Sequence, residues 1–293
     1  MNSKIQVFKL YYQNIRSLKN KIIEFQALTQ IFEYDIIFLT ESWLNSDILD
    51  SELCTKYILV RNDRKSRGGG VLIGLKPSIK FTKLFFNSNL EYICIKLQFR
   101  PINIFILLIY LPPPVSIDDL NLFYDLVSQI FYKMMSKDRI IILGDFNIPT
   151  YLQSISCSKS DCINDISSEF NLKQKITFPT RENSMLDLLF SNLDISVYKT
   201  PQWFTSDHCA VESLLEIPCS HSTSSYNIPT KKLNLYKINY DELTSLMNNI
   251  NWSSIFSNKD IQTITDDFYS TIFNNISKCC PLKETNKNLK NPN

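Results

Sequence analysis

The chain of 293 residues is 44% hydrophobic and 20% charged, the composition of a globular protein with room for a substantial core. Its formal charge of +2 neither indicates nor excludes a nucleic-acid partner, because a balanced total can hide a local basic patch. Eight cysteines without a C-x-x-C pair, together with only two histidines, exclude a zinc finger and imply no disulfide framework.

The N-terminal segment and the longest apolar run bear on targeting. Lys4 and Lys9 interrupt the apolar stretch that a signal peptide would need, so we expect an intracellular protein with free thiols. The run from Ile104 to Leu111 is about half of the roughly 20 residues that span a bilayer. We therefore expect a buried strand there and no membrane partner.

Short runs of β-branched and aromatic residues predict strands. In chain order they are Val7 to Tyr12, Asp35 to Thr40, Tyr57 to Val60, Gly70 to Leu75, Ile93 to Phe99, Ile102 to Tyr110 and Ile140 to Gly144. Two stretches with apolar residues at steps of three and four predict helices that pack on a sheet, Leu18 to Phe32 and Leu120 to Met134.

The connections between these strands indicate the fold class. The runs Ile93 to Phe99 and Ile102 to Tyr110 are joined by a link far shorter than the roughly dozen residues that a parallel crossover needs. They must form an antiparallel hairpin. Hairpins mixed with helical crossovers favour an α+β fold, a β-sandwich with helices on its outer faces, over a doubly wound parallel sheet.

The composition changes after Pro218. The segment HSTSSYNIPTKK, residues 221 to 232, is polar and rich in turn-forming residues, and two modest helical patterns follow at Tyr240 to Ile250 and Asp260 to Cys279. We predict one domain over residues 1–218, followed over residues 219–293 by a polar linker and a short helical segment.

Acidic and amide residues gather at the ends of the predicted strands, where α/β sheets collect ligands. They are Asn14, Glu41, Asp145, Asn147, Asp187 and Asp207, with His208 beside the last. Each alone is explained as a turn former or a solvated side chain. Together they offer the carboxylate and amide oxygens that Mg²⁺ prefers, and phosphoryl transfer needs few other protein groups. The set predicts Mg²⁺-dependent chemistry, with Mn²⁺ as a substitute ion.

Two segments within this set are informative in themselves. In ILGDFN an apolar strand runs into Gly144, which permits close backbone approach, and Asp145 and Asn147 then follow two residues apart on one side. In SMLDLLF, Asp187 is a carboxylate in an apolar stretch, and a buried carboxylate needs a partner. His208 is the candidate partner.

A series of motifs runs through the chain in order. It consists of QNIRSL (13–18), TESWL (40–44), RNDRKSRGGGV (61–71), IYLPPP (109–114), LGDFN (143–147), FPTR (178–181), SMLDLLFSN (184–192) and SDH (206–208). This order resembles the endonuclease domain of non-LTR, jockey-like LINE retrotransposons, within the endonuclease/exonuclease/phosphatase superfamily. The resemblance implies a four-layered α/β sandwich, two mixed β-sheets packed face to face with helices outside, in agreement with the hairpin argument.

The resemblance also implies roles around a metal ion and an attacking water. Glu41 would bind the metal with Asn14 close by, and Asp207 would complete the polar shell. Asp145 would position or deprotonate the water, and Asn147 would orient the scissile phosphate. No covalent intermediate is required.

Further residues would act on the phosphate. His208 would stabilise its charge, Asp187 would hold His208 in orientation, and Tyr110 would donate a hydrogen bond. These roles are physically sensible, because an imidazolium neutralises phosphoryl charge while a carboxylate raises the imidazole pKa and fixes its tautomer. The implied activity is a nick in one strand of duplex DNA that leaves a 3′-hydroxyl for target-primed reverse transcription.

Two positions depart from related patterns. Arg16 stands two residues after Asn14, where abasic-site repair endonucleases carry a metal-binding carboxylate, which disfavours a repair enzyme. Leu111 stands where the retrotransposon pattern usually has arginine, so one contact beside the phosphate is in question.

A basic loop precedes three glycines. Its cations, which could contact DNA phosphates without reading sequence, are Arg61, Arg64, Lys65 and Arg67. A solvated surface loop explains them equally well. The glycines match neither GxxxxGK[ST] nor GxGxxG, so a nucleotide-binding loop of those types is not indicated.

The implied partners are duplex DNA, in the nucleus, and a reverse transcriptase domain in the full-length element. The segment from Lys232 to Phe256 resembles the linker that leads into that domain; it either packs on the missing domain or folds as a helical appendage. Two other functions stay open: a decayed or domesticated copy that only binds DNA or protein, and a phosphodiesterase or phosphatase acting on another phosphate.

Overall fold

Two six-stranded sheets make up most of the structure. The computed structural model describes residues 4–99, 102–151, 157–219, 231–233, 238–257, 261–279 and 282–284. The chain divides into two units, Met1–His221 and Ser222–Asn293. Most of the predicted polar linker, residues 220–230, lies outside the described residues.

The strands have the following bounds. They are β1 Lys4–Asn14, β2 Ile36–Thr40, β3 Ile58–Asn62, β4 Val71–Leu75, β5 Phe81–Leu84, β6 Glu91–Gln98, β7 Asn103–Tyr110, β8 Arg139–Asp145, β9 Lys173–Gln174, β10 Asp187–Ser191, β11 Ile195–Thr200, β12 Ala210–Cys219, β13 Lys231–Leu233 and β14 Leu282–Glu284. The helices are α1 Ile22–Ile31, α2 Asp50–Leu53, α3 Ile117–Lys133, α4 Ser158–Glu169, α5 Tyr240–Asn248, α6 Trp252–Phe256 and α7 Ile261–Cys279.

The two sheets of the first unit share one pairing pattern. Their strand orders are β11-β12-β1-β2-β4-β3 and β5-β6-β7-β8-β10-β9. At the centre of each sheet lies one parallel pair, β1 with β2 and β7 with β8, and every other pair is antiparallel. The sheets are therefore mixed, and the hairpin predicted from the short link between β6 and β7 is confirmed.

Alternate residues of the strands belong to two different cores. In β2, Ile36 and Phe38 lie in the main core, which contains residues of both sheets. Ile37 and Leu39 lie in a second cluster with Phe25 of α1. Successive strand residues point to opposite faces of a sheet, so this sheet is buried on both faces. One face of the sheet packs against the second sheet, and the other face packs against helix α1. This arrangement confirms the predicted α/β sandwich.

Helix α3 covers the second sheet with the predicted apolar stripe. Leu120, Phe123, Val127 and Ile130 are all buried. The helix begins at a capping box in which Ser116 accepts from the Asp119 amide and the Asp119 carboxylate accepts from the Ser116 amide, an arrangement that satisfies backbone donors left free at a helix start.

Several elements were not predicted. Strand β5 is only partly buried along its length, β9 has two residues, and α4 carries few apolar positions, with Ile163 and Ile166 buried. Periodicity is weak in short or half-exposed elements, which explains why the sequence did not indicate them.

The second unit contains the helical patterns predicted at 240–250 and 260–279, observed as α5 and α7, with the short α6 between them. Trp252 stacks on Phe256, and the Phe268 ring packs tilted against both, while half of the Phe256 side chain stays exposed. No helix within the described ranges is long and apolar enough to cross a membrane.

Candidate active site

The carboxyl ends of the two parallel strand pairs meet at one edge of the sandwich. Asn14 ends β1 in register with Thr40, the last residue of β2, and Glu41 follows. Tyr110 ends β7 in register with Asp145, the last residue of β8. The Asn14 amide donates to the Asp145 carboxylate over 2.9 Å, so the two sheets join at these ends.

Asp145 is fully buried and faces a second carboxylate. Asp187 lies directly opposite it in the antiparallel pair of β8 and β10. Burial, followed by the negative charge of Asp187, raises the pKa of Asp145 from 3.8 to about 8. Two donors fix the orientation of this carboxylate, the Asn14 side chain and the Asn147 backbone amide at 3.0 Å.

Gly144 allows the two central strands of the second sheet to approach at this point. A methyl group built on Gly144 would lie 1.8 Å from the carbonyl oxygen of Ile109 on β7. No side chain fits in that space. The predicted need for close backbone approach before Asp145 is therefore a steric requirement.

Asp187 holds His208 with one oxygen and accepts from Tyr12 with the other. The His208 Nδ1 atom lies 2.7 Å from Asp187 Oδ2, and the Tyr12 hydroxyl donates to Oδ1. Burial by itself lowers the pKa of His208, but the charge and hydrogen bond of Asp187 outweigh it, and the pKa rises to about 9. With Nδ1 engaged, Nε2 is the ring nitrogen left for a further partner.

Glu41 lies at the mouth of the site and is only half-buried. Its Oε1 atom accepts from the Asn14 amide at 3.0 Å and from the Tyr110 hydroxyl at 3.2 Å, and its Oε2 atom accepts from the Trp43 indole at 3.1 Å. The backbone of Glu41 is left-handed, with a φ of 52°. Such strain in a non-glycine residue is costly and persists where its surroundings enforce it, often at functional sites.

Tyr110 keeps its proton at neutral pH. Burial and then the negative charges of Glu41 and Asp145 raise its pKa well above the ordinary tyrosine value. The hydroxyl is therefore a donor in this site.

Asn147 also has left-handed backbone, with a φ of 49°. Its side-chain amide donates to the carbonyl oxygen of Leu111 over 2.9 Å, which leaves its own Oδ1 atom for another group. Leu111 is fully buried, so this residue contributes its backbone to the site and its side chain to the core.

Asp207 lies among arginines. It forms ion pairs with Arg181 at 2.7 Å and with Arg16 at 3.8 Å. Asp207 was predicted to complete the polar shell around the metal. In the structure its carboxylate has two cationic partners instead. Arg181 belongs to the FPTR motif, for which the sequence suggested no role.

The cations of the basic loop differ in their surroundings. Arg61 is nearly buried and pairs with Asp50 and Asp63. Arg64 pairs with Glu91 at the start of β6 and lies over the Tyr110 ring at 5.7 Å. Lys65 and Arg67 are exposed. Two of the four residues predicted to contact DNA, Arg61 and Arg64, therefore already form ion pairs within the protein.

Four residues of the site were not singled out from the sequence. They are Tyr12, Trp43, Glu91 and Thr180, whose hydroxyl accepts from the amide of Asp187 at 3.0 Å. Tyr12 and Trp43 stand in predicted segments but resemble ordinary core residues. Tyr12 meets Asp187 only through the pairing of strands far apart in sequence, whereas Trp43 donates to Glu41, two residues away.

The residues present fit a hard divalent cation. Glu41 and Asp145 both approach the Asn14 amide, and Asp187 lies opposite Asp145 in the sheet. Ligand atoms of Asp145, Asp187 and His208 also lie within 4.8 Å of one another. Asp187 is engaged by Tyr12 and His208. A hard cation prefers carboxylate oxygens to an imidazole nitrogen, and the carboxylates of Glu41, which is half-buried, and Asp145 converge on the Asn14 amide. These two carboxylates are therefore the better oxygen-rich site for Mg²⁺.

Comparison with solved structures identifies this fold. The endonuclease domain of TRAS1, a telomere-specific non-LTR retrotransposon, matches at a TM-score of 0.56 and 14% identity, covering 72% of this chain and 98% of that one. The 3′ phosphatase NExo from Neisseria, bound to product DNA hairpin, matches at 0.52 and 14%, covering 70% and 98%. An AP endonuclease from Archaeoglobus fulgidus matches at 0.50 and 12%, covering 70% and 98%.

A family model adds evidence from the sequence. It is described as endonuclease-reverse transcriptase and matches residues 104–212. The chain has the fold of the endonuclease/exonuclease/phosphatase superfamily. The predicted resemblance to retrotransposon endonucleases is confirmed by these two comparisons. The matched segment contains Tyr110, Asp145, Asp187 and His208, whereas Asn14 and Glu41 precede it. No curated protein sequence matches the chain.

Proposed function

We propose that this protein is a Mg²⁺-dependent DNA endonuclease that nicks one strand of a duplex and leaves a 3′-hydroxyl, from which a non-LTR retrotransposon primes reverse transcription. The observation that carries the proposal is the position of Asp145. It lies between Asn14 and Glu41 on one side and the Asp187–His208 pair on the other. That arrangement supplies a base, a cation site and an imidazolium within one cluster.

Asp145 is suited to act on the attacking water. Its two hydrogen bonds hold the carboxylate in one orientation, and burial, followed by the charge of Asp187, raises its pKa to about 8. A carboxylate with a pKa near the working pH is an effective general base. Asn147, held to Leu111 through its amide nitrogen, would present Oδ1 to the water or to a protonated phosphate oxygen.

His208 is suited to stabilise the phosphate and the leaving oxygen. Its raised pKa keeps the ring protonated at neutral pH. Because Nδ1 contacts Asp187, Nε2 is the nitrogen that would donate to the substrate. An imidazolium placed there donates to an oxygen on which charge builds up. The Tyr110 hydroxyl adds a second donor next to Glu41.

Glu41 and Asp145 are the carboxylates that would hold the cation, and Asn14 would orient both of them through its amide nitrogen. A bound Mg²⁺ supplies neutralisation of charge on the phosphoryl oxygens and lowers the pKa of adjacent acids. Arg16, which replaces a carboxylate near Asn14, pairs instead with Asp207, so the site offers fewer acidic ligands than abasic-site repair enzymes would.

Plasmid nicking tests the proposal. Supercoiled DNA is incubated with the protein in Mg²⁺, in Mn²⁺ and in EDTA, and open-circular and linear forms are separated. We expect open circles to accumulate with either ion and not with EDTA, and Asp145→Asn to remove the activity. A wild-type protein that binds DNA without nicking it would favour the non-catalytic alternative. Release of phosphate from 3′-phosphorylated DNA without nicking would favour a phosphatase.

A further inference from the structure

A cavity of about 460 Å³ opens beside Trp43, whose indole contacts Glu41. This size falls within the range of about 300–1,000 Å³ that is typical of ligand-binding cavities. Its walls include Trp43, Asn45 and the cationic residues Lys19, Arg64, Lys65 and Arg67. None of the predicted catalytic residues lines it, so the cavity is separate from the cluster around Asp145.

Three of the four cations of this cavity are available to a ligand. Lys19, Lys65 and Arg67 are exposed, and within the described ranges none of the three forms an ion pair, whereas Arg61 and Arg64 do. The Arg67 guanidinium lies over the Trp43 ring, 6.0 Å from its centroid. An aromatic ring and unpaired cations around one space favour a ligand with a flat ring and a phosphate.

Trp43 connects this cavity to the proposed metal ligand. Its indole nitrogen donates to Glu41 over 3.1 Å, and its backbone amide donates to the Gly69 carbonyl at 2.9 Å. Gly69 itself packs against the Arg64–Glu91 ion pair, which a methyl group at that position would overlap, at 2.4 Å from the Glu91 carboxylate. The cavity wall is thereby anchored to β6 and placed next to the site where the phosphate would be cut.

We propose that this cavity binds one unpaired nucleotide of the DNA strand, with its base against Trp43 and its phosphates next to Lys19, Lys65 and Arg67. The proposal rests on the proposed DNA endonuclease function and identifies the part of the DNA substrate that this cavity would bind. A simple phosphate needs no aromatic wall, and an apolar ligand would not be placed among three cations. Every base has a face that stacks, so the cavity gives affinity without reading sequence.

One consequence concerns where DNA is cut. A nucleotide enters the cavity only after it leaves the base stack, and flexible pyrimidine–purine steps unstack most easily. The cavity therefore selects for deformable steps rather than for a particular base.

Comparing the binding of two single strands distinguishes the contribution of the bases from that of the backbone phosphates. One strand is an oligothymidylate, and the other is an abasic phosphodiester chain of equal length, both labelled and titrated in EDTA by fluorescence anisotropy. The variants are Trp43→Ala, Trp43→Phe, and Lys65→Ala combined with Arg67→Ala. The matched controls are Tyr132→Ala and Lys137→Ala, an exposed aromatic residue and an exposed cation on other surfaces. Thermal unfolding confirms that each variant is folded.

We expect Trp43→Ala to weaken oligothymidylate binding about 5- to 100-fold and to leave the abasic chain unaffected. Trp43→Phe should keep most of the affinity, because the ring remains and only the hydrogen bond to Glu41 is lost. The double cation variant should weaken both strands equally. Equal effects of Trp43→Ala on both strands, or none on either, would overturn the proposal. Because no strand is cut in EDTA, this result is independent of plasmid nicking: absence of nicking with intact base-dependent binding would refute the catalytic proposal alone.

Discussion

Asp145 of β8 and Asp187 of β10 lie directly opposite each other in an antiparallel pair, and both carboxylates are fully buried. Like charges at such positions destabilise a sheet, and buried charges need partners. The partners are Asn14 for Asp145, and Tyr12 and His208 for Asp187. The fold thus tolerates a local cost to stability at the residues that the reaction would use.

The first prediction follows from this cost. Asp145→Asn should lower nicking about 10²- to 10⁴-fold, as expected for loss of a general base, and raise stability in the absence of metal. The folded-state pKa of Asp145 lies above its unfolded value, at about 8 against 3.8. The folded protein therefore keeps a proton that the unfolded chain releases, and wild-type stability falls as the pH rises between these values.

Urea unfolding in EDTA at several pH values measures this effect. The free energy of unfolding should fall more steeply with pH in the wild type than in Asp145→Asn. Parallel curves for the two proteins would contradict the assigned burial and repulsion. DNA affinity should change little in the variant, because it depends mostly on phosphate contacts.

The second prediction concerns His208. Asp187→Asn removes the charge that outweighs burial, so the pKa of His208 should fall from about 9 to its ordinary value of 6.5 or lower. Proton NMR titration without metal measures it, and His221→Gln assigns the two histidine signals. Nicking should fall with the loss of the imidazolium. A His208 pKa that stays near 9 in this variant would show that another group holds the proton.

The third prediction concerns backbone approach in the second sheet. Gly144→Ala would place a methyl group 1.8 Å from the Ile109 carbonyl oxygen, and overpacking of this kind should cost at least about 3 kcal/mol. Gly74→Ala in β4 is the matched control, because its nearest contact would be an ordinary 3.4 Å to Leu59. That change should alter stability by less than about 1 kcal/mol. Similar unfolding midpoints for both variants would contradict the steric argument.

The sequence indicated the architecture of the first unit well because its central strands are continuous apolar runs. Strands β6, β7 and β8 fall close to their predicted bounds. The short link between β6 and β7 correctly predicted that these two strands pair antiparallel. Edge elements such as β5 and β9 were missed, since a half-exposed or two-residue strand has almost no pattern to detect.

The site was predicted less completely than the fold. Strand ends and motif order indicated Asn14, Glu41 and Asp145, which the structure brings together. Tyr12 was not indicated, because its side chain alternates with Leu10 in β1 as a core residue would, and its contact with Asp187 spans 175 residues. Arg64 was predicted to bind DNA, but its pairing with Glu91 depends on a loop of one sheet reaching a strand of the other.

The fourth prediction concerns the two units. A chain ending after residue 221 should fold, unfold cooperatively and keep its nicking activity, because both six-stranded sheets and every proposed catalytic residue precede that point. Circular dichroism during heating and plasmid nicking measure the two properties. Insoluble protein, or a broad transition, would show that residues 222–293 contribute to the core of the first unit.

The last prediction concerns the ends of the product. If a water held by Asp145 attacks the phosphorus in line with the 3′ oxygen, the bond to that oxygen breaks. The upstream fragment then ends in a 3′-hydroxyl, and the phosphate stays on the 5′ end of the downstream fragment. His208, protonated through neutral pH because its pKa is about 9, can donate to the departing oxygen. The product should therefore carry a 3′-hydroxyl that a DNA polymerase extends directly with labelled nucleotides. Mapping the labelled ends should also show cuts concentrated at pyrimidine–purine steps, because unstacking costs least there. Ends that require phosphatase treatment before extension would mean that the other phosphodiester bond is broken and would contradict the roles assigned to Asp145 and His208. A single tightly defined cutting site would leave those roles intact and contradict the selection by duplex flexibility.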